Sequence, residues 1–191
     1  MPIIVAMDGP SGAGKSSSSK ALAKRANWAY LDTGALYRGA TWLALNKNIT
    51  DQAELVLALR EEKLSFNADP NKPNLKCGKV DITDAIRSEE ITSNVSTFAA
   101  MPEVRAELLT LQRKIIDEAE RGIVVEGRDI GTVVAPQAQL KVYLTADLKA
   151  RAKRREAELN TEKDLTSSLA IRDEKDSTRT TSPLEKAIDA V

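Results

Sequence analysis

Histidine is absent from the 191 residues, which removes histidine-based nucleophilic triads and histidine-ligated zinc and leaves Asp, Glu, Lys, Arg and hydroxyl groups for any chemistry. Cysteine occurs once, at Cys77, so no intrachain disulfide can form, and a reducing cytosol is the simplest address. No run approaches the ~18 apolar residues of a membrane span, and the N-terminus carries no basic segment followed by an apolar core. Neither a spanning helix nor a secretory leader is therefore expected. Charge of one sign is not in excess either: 28 Lys and Arg face 28 Asp and Glu, so the overall balance argues for no nucleic-acid or membrane-surface partner. What remains is an ordinary 42% hydrophobic content on a chain long enough to bury a full core as one domain with small appendages.

The most informative segment is Gly9-Pro10-Ser11-Gly12-Ala13-Gly14-Lys15-Ser16, which matches the phosphate-binding loop pattern G-x-x-x-x-G-K-[ST]. A loop that wraps backbone N–H groups around phosphate oxygens needs residues without a Cβ where it bends, here Gly9, Gly12 and Gly14. Lys15 then reaches the β- and γ-phosphates and the Ser16 hydroxyl ligates Mg²⁺. The apolar run Ile3 to Met7 precedes the loop as a buried strand should. Ser17 to Ala26 follows at helical spacing, so a helix N-terminus points at the anion. A chance match in a chain of this length has odds of roughly one in a hundred before that context is counted.

Further β-rich runs at Trp28–Leu31, Ile123–Val125 and Leu140–Thr145 alternate with helical patterns, the βα alternation of a parallel sheet. Pro102 opens a long helix with Val104, Leu108, Leu111, Ile115 and Ala119 on one stripe and Gly122 as its stop. Leu64 to Arg87 reads differently: extended pieces at Leu64–Asn67, Asn74–Cys77 and Lys79–Ile82 are broken by Asp69-Pro70, Lys72-Pro73 and Gly78, which predicts a small antiparallel insertion. Two Arg/Asp clusters leave strands at Asp32-Thr33-Gly34-Ala35-Leu36-Tyr37-Arg38 and Glu126-Gly127-Arg128-Asp129, the ligand side of an α/β sheet. A third cluster runs from Arg172 to Arg179. Taken one by one, such pairs are often surface ion pairs of little consequence. The basic stretch Lys149–Arg155 lacks interleaved aromatics, which disfavours a nucleic-acid patch.

Taken in order, GPSGAGKSS, LDTGALYRG, EGRDIGTVV, RDEKDSTR and TSPL resemble the bacterial cytidylate (CMP) kinases from the first strand to the last residues. The resemblance implies Mg²⁺-dependent transfer of the γ-phosphoryl group of ATP to CMP or dCMP on a P-loop α/β fold. That fold would have a parallel-sheet core at about 1–60, 97–148 and 180–191, a monophosphate-binding insertion at about 61–96 and a lid at about 149–179. It further implies that Arg38, Arg128 and Arg179 hold the CMP phosphate, that Thr33, Ser96, Arg105 and Asp129 surround cytosine, and that Tyr37 and Asp176 contact the sugar. Planar forked guanidinium donors suit a phosphate dianion, and a carboxylate such as Asp129 can accept from the cytosine exocyclic amine. The donor cradle falls on the backbone from Gly9 to Ser17, with Lys15 on the migrating group. Arg151, Arg155 and Arg172 resemble lid arginines that close over the phosphates and exclude water. Phosphoryl transfer asks for position and charge stabilisation more than for a base, so the lack of histidine is no obstacle.

A regulatory GTPase would need a late N-K-x-D motif, and Asn71-Lys72-Pro73-Asn74 lacks the Asp and comes too early. Another small-molecule kinase of the same core, or a nucleotide-binding protein without activity, remains as the alternative. In the family the Ser-Pro-Leu segment is followed by a strand and a terminal helix, whereas this chain stops at Val191 where that strand should start. That strand and helix are therefore expected to be missing. A cytoplasmic monomer acting on small nucleotides, without nucleic-acid or membrane partners, completes the expectation.

Overall fold

The first strand, β1 (Ile3–Asp8), is buried at every position after Ile3, as a strand with neighbours on both edges and helices on both faces requires. In the computed structural model, which describes residues 2–159 and 164–191, β1 lies between β6 (Gly122–Gly127) and β7 (Leu140–Tyr143), and β2 (Ala29–Asp32) pairs on the far side of β6. All of these pairings are parallel, giving the order β2-β6-β1-β7 among the described residues. Outside β7, Val191 donates to the Lys141 carbonyl at 3.0 Å and accepts from the Tyr143 N–H at 2.8 Å. The anticipated α/β parallel sheet is therefore present, with strand limits within about two residues of the sequence-based ones.

Helices follow where capping chemistry allows them. α1 (Lys15–Ala26) and α2 (Thr33–Lys47) each end on an Asn, Asn27 and Asn48, in the left-handed conformation. The side chain of Asp32 caps α2 by accepting from the Ala35 N–H at 3.1 Å, and Asp51 does the same for α3 (Gln52–Glu62). The predicted insertion is a sheet of β3 (Leu64–Asn67), β4 (Asn74–Cys77) and β5 (Val80–Asp81), antiparallel throughout. A short 3₁₀ turn (Ala85–Arg87) and α4 (Glu89–Ala99) follow it. The long helix from Pro102 is α5 (Pro102–Asp117), which stops a turn before Gly122. α6 (Leu148–Leu159) and α7 (Thr166–Thr178) complete the order; residues 160–163 of the expected lid lie outside the described residues.

The main core joins the two sheets. Leu31, Leu36, Ala40 and Leu43 from β2 and α2 meet Leu64, Leu75 and Ile82 of the insertion, Ile123 and Val125 of β6, and Leu108 of α5, all essentially inaccessible to solvent. Gly39 lets α2 and the insertion approach closely, since a Cβ there would come within 2.7 Å of Leu75. The insertion is thus fixed on the same helix, α2, that carries Tyr37 and Arg38. Among the described residues no helix is long and apolar enough to cross a membrane.

Candidate active site

The C-terminal ends of β1, β2 and β6 open on one side of the sheet, where a crevice is expected in an open α/β fold. From β1 the chain enters the glycine loop. Gly9 has φ +141°, and a Cβ there would lie 2.0 Å from the Leu144 carbonyl oxygen, so only glycine fits. Gly14, at φ +99°, precedes α1, whose first turn has neither a side-chain cap nor an acidic residue. Its free N–H groups and dipole are thereby left for an anion. The buried Lys15 donates from Nζ to the Pro10 carbonyl at 2.8 Å. Burial, and then the positive charge of Arg128, lowers its pKa below the ordinary ammonium value.

Carboxylates stand beside this loop. Asp32 and Glu126 are register partners across β2 and β6, and both line the cavity with Lys15 and Ser16. The Tyr30 hydroxyl donates to Glu126 Oε1 at 2.5 Å, while Glu126 Oε2 is buried with no hydrogen-bond partner. Burial first, and the charge of Asp32 second, raises Glu126 above the usual carboxylate range.

The cavity has a volume of about 520 Å³ and continues from the loop across to α2, α4, α5 and the turn after β6. Thr33, Tyr37, Arg38, Ser96, Arg105, Arg128, Asp129, Asp176 and Arg179 all line it, as do Ser11, Gly12, Gly14, Lys15, Ser16, Ser17, Arg155 and Arg172. Thr33 is set by its hydroxyl, which donates to the Glu126 carbonyl at 2.8 Å. Arg105 and Asp129 form a buried hydrogen-bonded ion pair, and Arg105 also donates to the Ala99 carbonyl at 3.0 Å. The Arg105 guanidinium lies 5.0 Å from the Tyr37 ring centre, a cation–π geometry that holds it over α2. Arg179 Nη2 stands 3.9 Å from Asp129 Oδ1 and has no hydrogen-bond partner there. Arg128 donates to Asp176 and to the Gly9 carbonyl, both at 2.9 Å, and so spans the two halves of the cavity.

Arg38 donates to Thr92 Oγ1 at 2.9 Å and to the Ile86 carbonyl at 3.2 Å. Burial, and then the nearby Arg172, pushes Arg38 down to about 9. Arg172 is pushed down to about 10 by burial and then by Arg128. Cations crowded against one another in a partly dry cleft call for anions between them.

Gly9, Pro10 and Ala13 are buried in the loop and do not line the cavity. Arg151 does not line it either: its guanidinium donates to Asp173 at 2.6 Å and to the carbonyls of Ser11 and Ala146 at 3.0 Å each. It braces α6 on the loop. The lining also includes Arg87, Asp32 and Glu126, which the sequence reading did not single out as site residues; the position of Glu126 directly after the apolar run Ile123–Val125 is a signal that could have found it.

The profile of the cytidylate kinase family matches residues 5–191. The chain belongs to the cytidylate kinase family. A cytidylate kinase of Streptomyces coelicolor is 50% identical over 193 residues, which cover 99% of this chain and 84% of that protein. One from Streptococcus pneumoniae is 46% identical over 201 residues, covering 99% of this chain and 88% of that protein. Among solved structures, an uncharacterized protein from Eubacterium ventriosum superposes with a TM-score of 0.50 at 12% identity, over 98% of this chain and 81% of that one, a likeness of fold alone.

Proposed function

We infer that the chain transfers the γ-phosphoryl group of ATP to CMP or dCMP, giving CDP or dCDP. The observation that carries this reading is the single cavity in which a phosphate-binding loop faces a buried Arg105–Asp129 pair across a bank of arginines. ATP takes the loop, with its phosphates on the backbone from Gly9 to Ser17 and Lys15 released from the Pro10 carbonyl to the migrating group. CMP takes the far half: Arg38, Arg128 and Arg179 hold its phosphate, Thr33, Ser96, Arg105 and Asp129 read the base, and Tyr37 and Asp176 meet the sugar. Arg155 and Arg172 counter the charge that spreads over the transferred group, and Arg151 steadies the lid that carries Arg155. Preorganised cations of this kind supply most of what a loose phosphoryl-transfer transition state requires.

The residues at the strand ends fit a hard divalent cation. Ser16, Asp32 and Glu126 offer only oxygen ligands, and Glu126 Oε2 is a buried acceptor without a partner. Among the described residues no cluster of three or more acidic or cysteine side chains could hold a metal alone. Mg²⁺ would therefore arrive with the triphosphate, with Ser16 as its protein ligand, and it would neutralise phosphate charge when bound. In this reading residues of about 61–96 form the monophosphate-binding part and about 149–179 the lid, on a core of the remaining segments. A cytoplasmic monomer without nucleic-acid partners is the matching assignment.

An acceptor panel tests the reading. With ATP and Mg²⁺, CMP and dCMP should be phosphorylated well ahead of UMP, AMP, GMP and shikimate, and a panel led by any of the others would overturn it.

A further inference from the structure

Asp8 is the last residue of β1 and the one immediately before the glycine loop, yet its side chain does not serve that loop. It crosses to the neighbouring strand. Asp8 and Gly127 are register partners in the parallel β1–β6 ladder, and the chain leaving β6 turns at once through Arg128 and Asp129 into a π-helical turn over Ile130–Val134. Inside that turn the N–H groups of Val133 and Val134 reach the Asp129 carbonyl, and that of Ala135 reaches the Ile130 carbonyl. The first two N–H groups, of Ile130 and Gly131, are left without a partner in the turn, as at any helix start. Asp8 takes both: Oδ1 accepts from Ile130 at 2.8 Å and Oδ2 from Gly131 at 2.7 Å.

The arrangement is a helix cap delivered from another strand. Both carboxylate oxygens are used, and the negative charge meets the positive end of the turn. Asp8 itself is only 4% exposed, and burial raises its pKa while the two N–H donors oppose the rise. Its own main chain is tied down as well, since its carbonyl accepts from the Leu144 N–H at 2.8 Å. A second tie runs in parallel, from Arg128 to the Gly9 carbonyl at 2.9 Å. The residue that leads into the glycine loop therefore also fixes the turn that presents Arg128 and Asp129.

We propose that Asp8 is a positioning residue that sets the acceptor-reading turn in register with the donor loop, so that the CMP phosphate is held in line with the γ-phosphate of ATP. The proposal rests on the assignment of Arg128 and Asp129 to the acceptor. It predicts an effect concentrated on the acceptor side and on the chemical step, because the Asp8 side chain hydrogen-bonds only the turn and meets the donor loop through the backbone and through its weaker charge interaction with Lys15.

Asp8→Asn keeps the size of the side chain but sets an amide NH₂ against a backbone N–H. With this variant, the affinity for a non-hydrolysable ATP analogue should stay at the wild-type value, while kcat/KM for CMP falls by about 10–100-fold, the range that ångström-scale misplacement produces. The preference for CMP over UMP should narrow at the same time, which a loss of stability alone would not cause. If Asp8→Asn does not fold, Gly131→Ala carries the test. A Cβ there would meet the flexible Lys141 side chain at a tight 3.1 Å and Asp8 Oδ2 at a near-ordinary 3.4 Å, so a small shift of the turn against its clamp should give the same pattern in weaker form. Wild-type kinetics in the folded variant, or analogue affinity lost in step with kcat/KM, would overturn the proposal. Failure of the acceptor assignment itself would show in the wild-type protein, as a panel without preference for CMP.

Discussion

Replacing Asp129 by Asn should change which base the enzyme prefers more than it changes whether the enzyme folds. In the structure Asp129 and Arg105 are about equally buried, with side chains 5% and 6% exposed, and Arg179 waits 3.9 Å from the other carboxyl oxygen. UMP presents a carbonyl where cytosine presents an amine, and two facing acceptors leave a buried group unpaired at about 1–3 kcal/mol, or roughly 5–150-fold in kcat/KM. Asn can turn its NH₂ toward that carbonyl, so the ratio of CMP to UMP efficiency should fall toward unity. The charge is also lost, and removing one member of a buried pair destabilises by about 3–5 kcal/mol, which the accompanying fall in melting temperature measures. The assay is steady-state ADP release with each nucleotide, on protein shown by circular dichroism to be folded. A folded Asp129→Asn protein that kept the wild-type ratio would refute the base-reading role and the hydrogen-bond argument with it.

Three further outcomes follow from the same geometry. Lys15→Ala should lower kcat by about 10²–10³-fold with little loss of melting temperature, because it removes a charge that acts on the transition state and makes one hydrogen bond in the free protein; a folded variant with most of its activity would exclude the mechanism. Burial depresses Lys15 below its unfolded value of 10.5, so the penalty of keeping it charged is fully present below the folded pKa and is relieved as pH rises toward 10.5. Bound triphosphate should restore the charge, and calorimetry in buffers of different ionisation enthalpy should show proton uptake at slightly alkaline pH that Lys15→Ala abolishes. Cys77 is buried with its thiol pushed up by burial and then by Glu62, so iodoacetamide should label it only as fast as the insertion opens, and rapid labelling of native protein would contradict its place under β3 and α2.

The parts of this site that were legible in the sequence are those written in consecutive residues. The glycine loop needs Gly9 and Gly14 for backbone reasons that act within the loop, and its flanking strand and helix follow from local periodicity. The antiparallel insertion was legible because Pro70, Pro73 and Gly78 punctuate it. The clamp of Asp8 on Ile130 and Gly131 was not legible, since it exists only once β1 and β6 are neighbours, a pairing of residues more than a hundred positions apart. The bond from Tyr30 to Glu126 Oε1 is hidden for the same reason, because it depends on β2 lying beside β6. Lys149–Arg155 shows the converse: the sequence displays a run of cations, but only the helix phase of α6 turns Arg155 to the cavity and Arg151 to Asp173 and the Ser11 carbonyl.

The central claim is that this cavity passes phosphate to a cytidine acceptor and not to water. ATP labelled in its γ-phosphate, incubated with Mg²⁺, CMP and the protein, should place the label in CDP almost quantitatively, with little free phosphate and little turnover when CMP is left out. Label released chiefly as inorganic phosphate, at a rate indifferent to CMP, would contradict the account.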